Sequence, residues 1–270
     1  MTTYNLSWTI EKQQSTASIH RCPLAGRQHG ANINMIIGHE HKYVFVELPR
    51  TGSTAISREL TQNYGGEEIL KKHATYRDFA KIATSQEQRY FTFSAVRNPM
   101  DKIVSLYFKY KTNQRNYESN ETYKNSNFLV TRLMKSQYRF VKERDASFSE
   151  FFMRFYRLPY DDWSSLDHDK MDFVMRFEHL ADDFSEVLRR LGIKPVRPLP
   201  IVNKTTGKAQ DYWSYFEPDI QRRAQWVFGP YFRRWGYEFP ESWQTANSGS
   251  DAFVFSLANV ARKFYWRTLR

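Results

Sequence analysis

The sequence predicts a three-layer α/β domain built on a mainly parallel central sheet. Short apolar, β-rich runs alternate with helix-period segments along the chain, the pattern of successive strand–helix units. Two of these units, at 43–60 and 90–111, pass from strand to helix through a turn rich in arginine, hydroxyl or small residues. Aromatics make up 17% of the chain, enough to furnish a core and to exclude a disordered chain. The expected boundaries are a polar, irregular segment over 1–42, a main domain over 43–241, and a linker with a basic amphipathic tail over 242–270.

The first unit starts with Tyr43-Val44-Phe45-Val46, a run that suits a buried strand. Pro49-Arg50-Thr51-Gly52-Ser53-Thr54 breaks it, and a helix opens at Ser53 or Thr54 with Ile56 and Leu60 on one face. Unpaired amides and the helix dipole meet at such a junction and favour an anion. Gly52 lets the backbone close on a phosphate-sized group, Ser53 and Thr54 offer hydroxyls, and Arg50 offers a charged fork. An ordinary strand–turn–helix with a Ser/Thr cap is the competing reading. The nucleoside-triphosphate loop is excluded in its usual form, because the first glycine and the Gly-Lys-Ser/Thr ending are missing.

Gly65-Gly66 ends the first helix, and Glu68–Lys71 reads as a short strand. His73 follows it at a strand's carboxyl end, where open α/β sheets place chemistry; a surface histidine is the alternative. Thr75 caps a helix over 76–82. The clearest strand is 88–98, which ends in Arg97-Asn98-Pro99. Proline suits the first turn of the helix 99–111. Arg97 before that helix and Ser105 two turns within it reach one anion if the helix packs beside the first loop. Residues 112–127 read as an exposed loop or lid. Helices are expected over 128–138 and from Ser147, then a strand over 171–177 and an amphipathic helix over 178–191. Leu199–Lys208 reads as a loop, and the domain closes near Trp235–Phe239. Phe253, Leu257, Val260, Phe264 and Leu269 give the tail an apolar side, with Arg262, Lys263 and Arg267 elsewhere. An interfacial helix or one docked on the domain fits that composition.

The formal charge of +11 favours an anionic partner, which leaves nucleotides, acidic glycans, nucleic acid and anionic membranes open. No nucleic-acid motif accompanies the charge. Cys22 is the single cysteine, so no intrachain disulfide forms, in keeping with a reducing compartment. No apolar run is long enough to span a membrane. The expected setting is the cytoplasm of a bacterium. His39 and His41 lack a ligand cluster, and no metal is expected.

On these residues the chain resembles the sulfotransferase family that uses 3′-phosphoadenosine 5′-phosphosulfate. ELPRTGST is similar to its 5′-phosphosulfate loop, and VRNPMDKIVSLYF to its 3′-phosphate segment, including the spacing from Arg97 to Ser105. LKKHATYRDF, DFVMRFEHLADDF, IVNKTTGK and WGYEF resemble further segments of a branch that includes many bacterial and carbohydrate enzymes. The chain departs from many members in carrying Arg50 where lysine is common. The resemblance implies a P-loop-NTPase-like fold and in-line sulfuryl transfer to a hydroxyl. It implies a donor loop of Arg50, Thr51, Gly52, Ser53, Thr54 and Ala55, with Arg50 also catalytic. Arg97 and Ser105 would hold the 3′-phosphate, Lys204 and Lys208 would close over the nucleotide, and His73 would be the general base, with His41 and Glu47 next in line. The implied acceptor is a carbohydrate, either a glycan or a lipid-linked glycan, with peripheral contact at the inner membrane through the tail. A small phenolic or peptidic acceptor, or a non-catalytic protein that binds nucleotides or polyanions, are the alternatives.

Overall fold

Five short strands form one sheet in the order β3-β1-β2-β4-β5. They are β1 (Ile33–Gly38), β2 (Tyr43–Phe45), β3 (Gly66–Lys71), β4 (Phe91–Val96) and β5 (Phe173–Arg176). This is a computed structural model, and it describes residues 33–71, 74–114, 116, 117, 119, 129–162, 164–200, 205–209, 211–244 and 249–268. Residues 32–270 make one compact unit.

The sheet is mixed, which corrects the expectation of a mainly parallel one. β2 pairs parallel with β4, and β4 with β5. β1 lies antiparallel to both β2 and β3, so half of the junctions are antiparallel. The difference arises in residues 33–38, which the sequence reading placed in a polar N-terminal segment. Met35 and Ile37 pack in one core cluster with Val44 and Phe79, whereas Ile36 packs in another with Phe45, Ile56 and Phe93. A strand covered on both faces reads as continuously apolar instead of alternating, and β1 is of that kind. A four-residue turn at 39–42 carries the chain into β2, with Lys42 at φ 53°.

The helices expected after each strand form at the predicted places. They are α1 (Ser53–Asn63), α2 (Tyr76–Ala80) and α3 (Pro99–Lys111), followed by α4 (Leu129–Glu143) and α5 (Phe148–Phe155). Next come α6 (Leu180–Arg190), α7 (Pro218–Trp235) and α8 (Asp251–Thr268). Thr75 with Asp78, and Ser147 with Glu150, make reciprocal capping boxes at α2 and α5, which satisfy two orphan donors each. Leu60 of α1 and Phe184, Val187 and Leu188 of α6 cover one face of the sheet. Phe79 of α2 lies on the other. A third core belongs to helices alone: Val104 of α3, Phe151 and Phe152 of α5, and Phe228 and Tyr231 of α7 are buried together. The third core fixes α3 from behind, and so holds the β4–α3 junction that the site depends on.

Candidate active site

The parallel strands β2 and β4 end side by side, with the Val46 amide donating to the Phe93 carbonyl at 2.9 Å. The two loops that follow are therefore neighbours. In the first, Arg50 and Gly52 both have positive φ, 67° and 79°. Gly52 is required twice over. A Cβ there would stand 2.5 Å from Leu180 Cδ2, and the left-handed backbone disfavours any side chain. Arg50 adopts the same region with a side chain, a strain of about 1–2 kcal/mol that the surrounding loop must hold. Thr51 is fully buried, and its hydroxyl donates to the Leu48 carbonyl at 2.8 Å. Its side chain closes the loop and does not face the cleft. No side chain caps α1; the Ala55 amide donates to the Gly52 carbonyl at 2.9 Å, which leaves the Ser53 and Thr54 amides for another partner. Arg50, Gly52, Ser53, Thr54 and Ala55 all line the cleft.

Arg50 stands out among these. Its Nη1 is buried and has no hydrogen-bond partner among the described residues. A buried guanidinium donor left unsatisfied is costly, and an anion is its natural complement. Ser53 differs from expectation. Its hydroxyl donates to Glu47 Oε1 at 2.6 Å, so it is not aimed at an incoming anion. Glu47 itself lies on the cleft wall and is 4% exposed.

In the second loop Asn98 caps α3 by accepting from the Met100 amide at 2.9 Å, and Pro99 takes the first helical position. That geometry aims Arg97 along the first turns of α3. Its Nε donates to Asp101 Oδ2 at 2.8 Å, and Nη2 donates to Ser105 Oγ at 2.9 Å. Its Nη1 reaches back to the Arg50 carbonyl at 3.2 Å, and its plane lies 4.0 Å over Phe177. Burial pushes the Arg97 guanidinium down to about 10, with Glu178 opposing that shift, so Arg97 stays charged at neutral pH. Arg97 and Ser105, expected from their spacing to reach one anion, are bonded directly to each other.

Lys208 joins this cluster through its Nζ on Asp101 Oδ1. Burial, then Arg97, lower its ammonium to about 8. Lys204 lies outside the described residues, as does His73. β3 is the edge strand, and it ends at Lys71 at the same end of the sheet as β2, since β1 runs antiparallel to both. His41 sits in the turn before β2. That turn is at the opposite end of the strand, roughly 20 Å of extended chain from Glu47, and takes no part.

Three groups in the cleft wall were missed by sequence reasoning. Lys102 Nζ pairs with Asp162 Oδ2 at 2.8 Å, both nearly buried. Burial pushes the Lys102 ammonium down, and Asp162 works against it. Glu178 accepts from the Asn98 amide at 2.7 Å and from the Tyr237 hydroxyl at 3.0 Å. Arg262, from the C-terminal helix, also borders the cleft. Only Lys102 carried a sequence signal, a cation on the apolar side of an amphipathic helix.

The cleft measures about 1380 Å³, more than one ligand of ordinary size fills. Its chemistry is cationic and hydrogen-bonding, and it separates into a side of two arginine loops and a side lined by α4 and residues of 155–161. Among the described residues no cluster of three or more His, Cys, Asp or Glu suits a metal ion. No curated protein and no solved structure matches the chain. A family model does, that of the sulfotransferase family, over residues 34–237. The match takes in all of β1 but its first residue, both arginine loops and Tyr237, so that the chain belongs to the sulfotransferase family, whose enzymes transfer a sulfuryl group.

Proposed function

We propose that the protein transfers a sulfuryl group from 3′-phosphoadenosine 5′-phosphosulfate to a hydroxyl of a carbohydrate acceptor, a glycan or a lipid-linked glycan. The reading includes a P-loop-like fold for the donor half. One observation carries it most: Arg50 holds an unpartnered buried donor, and its carbonyl is bonded to the Arg97 that pairs with Ser105. Two anion anchors are thereby joined in one cleft. A nucleotide with phosphates at both 5′ and 3′ positions matches two such anchors; a plain nucleotide uses one.

In the proposed reaction the acceptor oxygen forms a bond to sulfur while the bond from sulfur to the bridging phosphate oxygen breaks. The electron pair stays on the phosphate, where charge grows as in a loose phosphoryl transfer. Arg50 and the first amides of α1 meet that charge. Arg97, Ser105 and Lys208 hold the 3′ end and set the register. The acceptor proton goes to a base. His73 is the proposed base, two residues after the end of β3 in sequence. Glu47 is the second reading, favoured by its place on the cleft wall against Ser53.

Calorimetric titration of 3′-phosphoadenosine 5′-phosphate against adenosine 5′-phosphate tests the donor. Tighter binding of the first is expected, and equal affinity overturns the two-anchor reading. A sulfation screen over glycans, glycolipids and phenols tests the acceptor. For the base, His73→Ala is expected to lower turnover on the order of 100-fold with nucleotide affinity kept. Full turnover in His73→Ala with loss in Glu47→Gln assigns Glu47 instead.

A further inference from the structure

Helix α8 packs against the protein through a mixed side, with Val254, Phe255, Ala258 and Trp266 half-buried there. Asp251 and Asn259 are buried. Asp251 Oδ1 accepts from Arg233 Nη2 at 2.9 Å, and Arg262 donates to the Pro159 carbonyl at 2.6 Å and to Asn259 Oδ1 at 3.0 Å. The opposite side carries Phe253, Leu257, Val260 and Phe264, which are 72%, 64%, 69% and 64% exposed. Their spacing of four, three and four residues places them on one line about 16 Å long. Arg262 points the other way. A helix normally shows a polar face to water; this one leaves a second apolar line in the open, and a contiguous exposed stripe of this kind marks a contact surface.

Charge decides what covers it. Lys263 and Arg267 stand beside the stripe, and the chain carries a formal +11. A second copy would set these cations against each other. It would also find Arg267 where the heptad seam needs its next apolar residue, well short of the three or four heptads that sustain a coiled coil. An anionic lipid surface gains from the same charges. Among the described residues no helix is long and apolar enough to cross a membrane, so the contact is with the surface. The rim of the cleft has a similar character. Val130 and Leu133 of α4 are 45% and 50% exposed and border the cleft, as does Arg262.

We propose that α8 docks the protein on an anionic bilayer through Phe253, Leu257, Val260 and Phe264, with Lys263 and Arg267 meeting the headgroups. The docking stands apart from sulfuryl transfer. Only its corollary, that the acceptor is lipid-linked, rests on the function proposed above.

Flotation of the full chain with vesicles tests it. Vesicles of phosphatidylcholine mixed equally with phosphatidylglycerol are expected to carry the protein, and phosphatidylcholine alone to carry far less. The variant F253S/L257S/V260S/F264S is expected to lose about tenfold or more in partitioning. Lys263→Ala and Arg267→Ala are each expected to lose about fivefold at low salt. Melting temperature and nucleotide affinity, measured on each variant, report whether the fold is kept. Failure of the wild type to float overturns the proposal, as does unchanged flotation of the polar-stripe variant. A dimer in solution that this variant converts to monomer, without lipid binding, assigns the stripe to a second copy and overturns it too. Failure of the sulfotransferase reading would show separately, in the nucleotide titration, whatever the vesicles do.

Discussion

The β2–α1 and β4–α3 loops are built on the same plan, a parallel strand running into a helix, yet their arginines are placed in opposite ways. Arg97 is fully engaged: every nitrogen has a partner, and Phe177 covers its plane. Arg50 sits on strained backbone and keeps one buried nitrogen without a partner among the described residues. A satisfied cation is a fixed reference point, and an unsatisfied one is a place where charge has yet to arrive. Under the function proposed above, the contrast would give Arg97 to ground-state binding and Arg50 to the transition state, where preorganised donors are worth most.

The largest test of this contrast is Arg50→Ala. Turnover is expected to fall by about 10²–10³, as for loss of a charge-stabilising donor, while affinity for 3′-phosphoadenosine 5′-phosphate falls much less. Arg50→Lys should restore part of the turnover, since charge returns without the fork. Normal turnover with only weakened binding would erase the distinction between the loops. Arg97→Ala comes next. It should remove most of the preference for the 3′-phosphate, about 1.5–3 kcal/mol for a charge-assisted contact, read by titrating both nucleotides. The reverse split, with turnover lost and preference kept, would exchange the two roles.

Gly52→Ala probes the loop that strains Arg50. The left-handed backbone costs a non-glycine residue about 1–2 kcal/mol, and the contact with Leu180 adds to it. A lower melting temperature is expected, with partial recovery in Gly52→Ala/Leu180→Ala because only the clash is relieved. The smallest effect belongs to Lys208. Its ammonium is lowered from 10.5 to about 8 by burial and then by Arg97. Above about pH 8 the folded protein therefore holds less charge there, and nucleotide affinity should weaken as pH rises through that value. Lys208→Arg stays charged and should flatten the profile. Stability moves the other way: a lowered lysine pKa means that the unfolded chain binds more protons between about 8 and 10.5, so this group favours folding as pH rises through that window.

The sequence made the two arginine loops readable because their chemistry is local. Gly52 announces a turn, Pro99 a helix start, and the interval from Arg97 to Ser105 is two helical turns on one strip of α3. β1 was hidden for a physical reason. A strand covered on both faces lacks alternation, and INMIIG stands beside a polar stretch that drew attention away. Lys102 finds Asp162 sixty residues later, and Arg262 comes to the cleft from the last helix; pairings of that range are set by packing and leave no mark in spacing. Glu47 was near at hand, six residues before Ser53. Reasoning from anion binding has no place for a carboxylate inside the loop, so the Ser53 hydroxyl was assigned to the anion instead of to Glu47.

The central position of β1 bears on how the molecule comes to be folded. β1, β2 and β3 all lie within residues 33–71, and their antiparallel contacts join segments close in the chain. β5 reaches β4 only across nearly eighty residues. Local contacts close sooner, because less loop entropy is surrendered first. A three-stranded nucleus carrying the Arg50 loop should thus protect its amides from solvent exchange before β4 and β5 add theirs. On the ribosome, where the N-terminal part emerges first, one of the two arginine loops would take shape while the other was still being made.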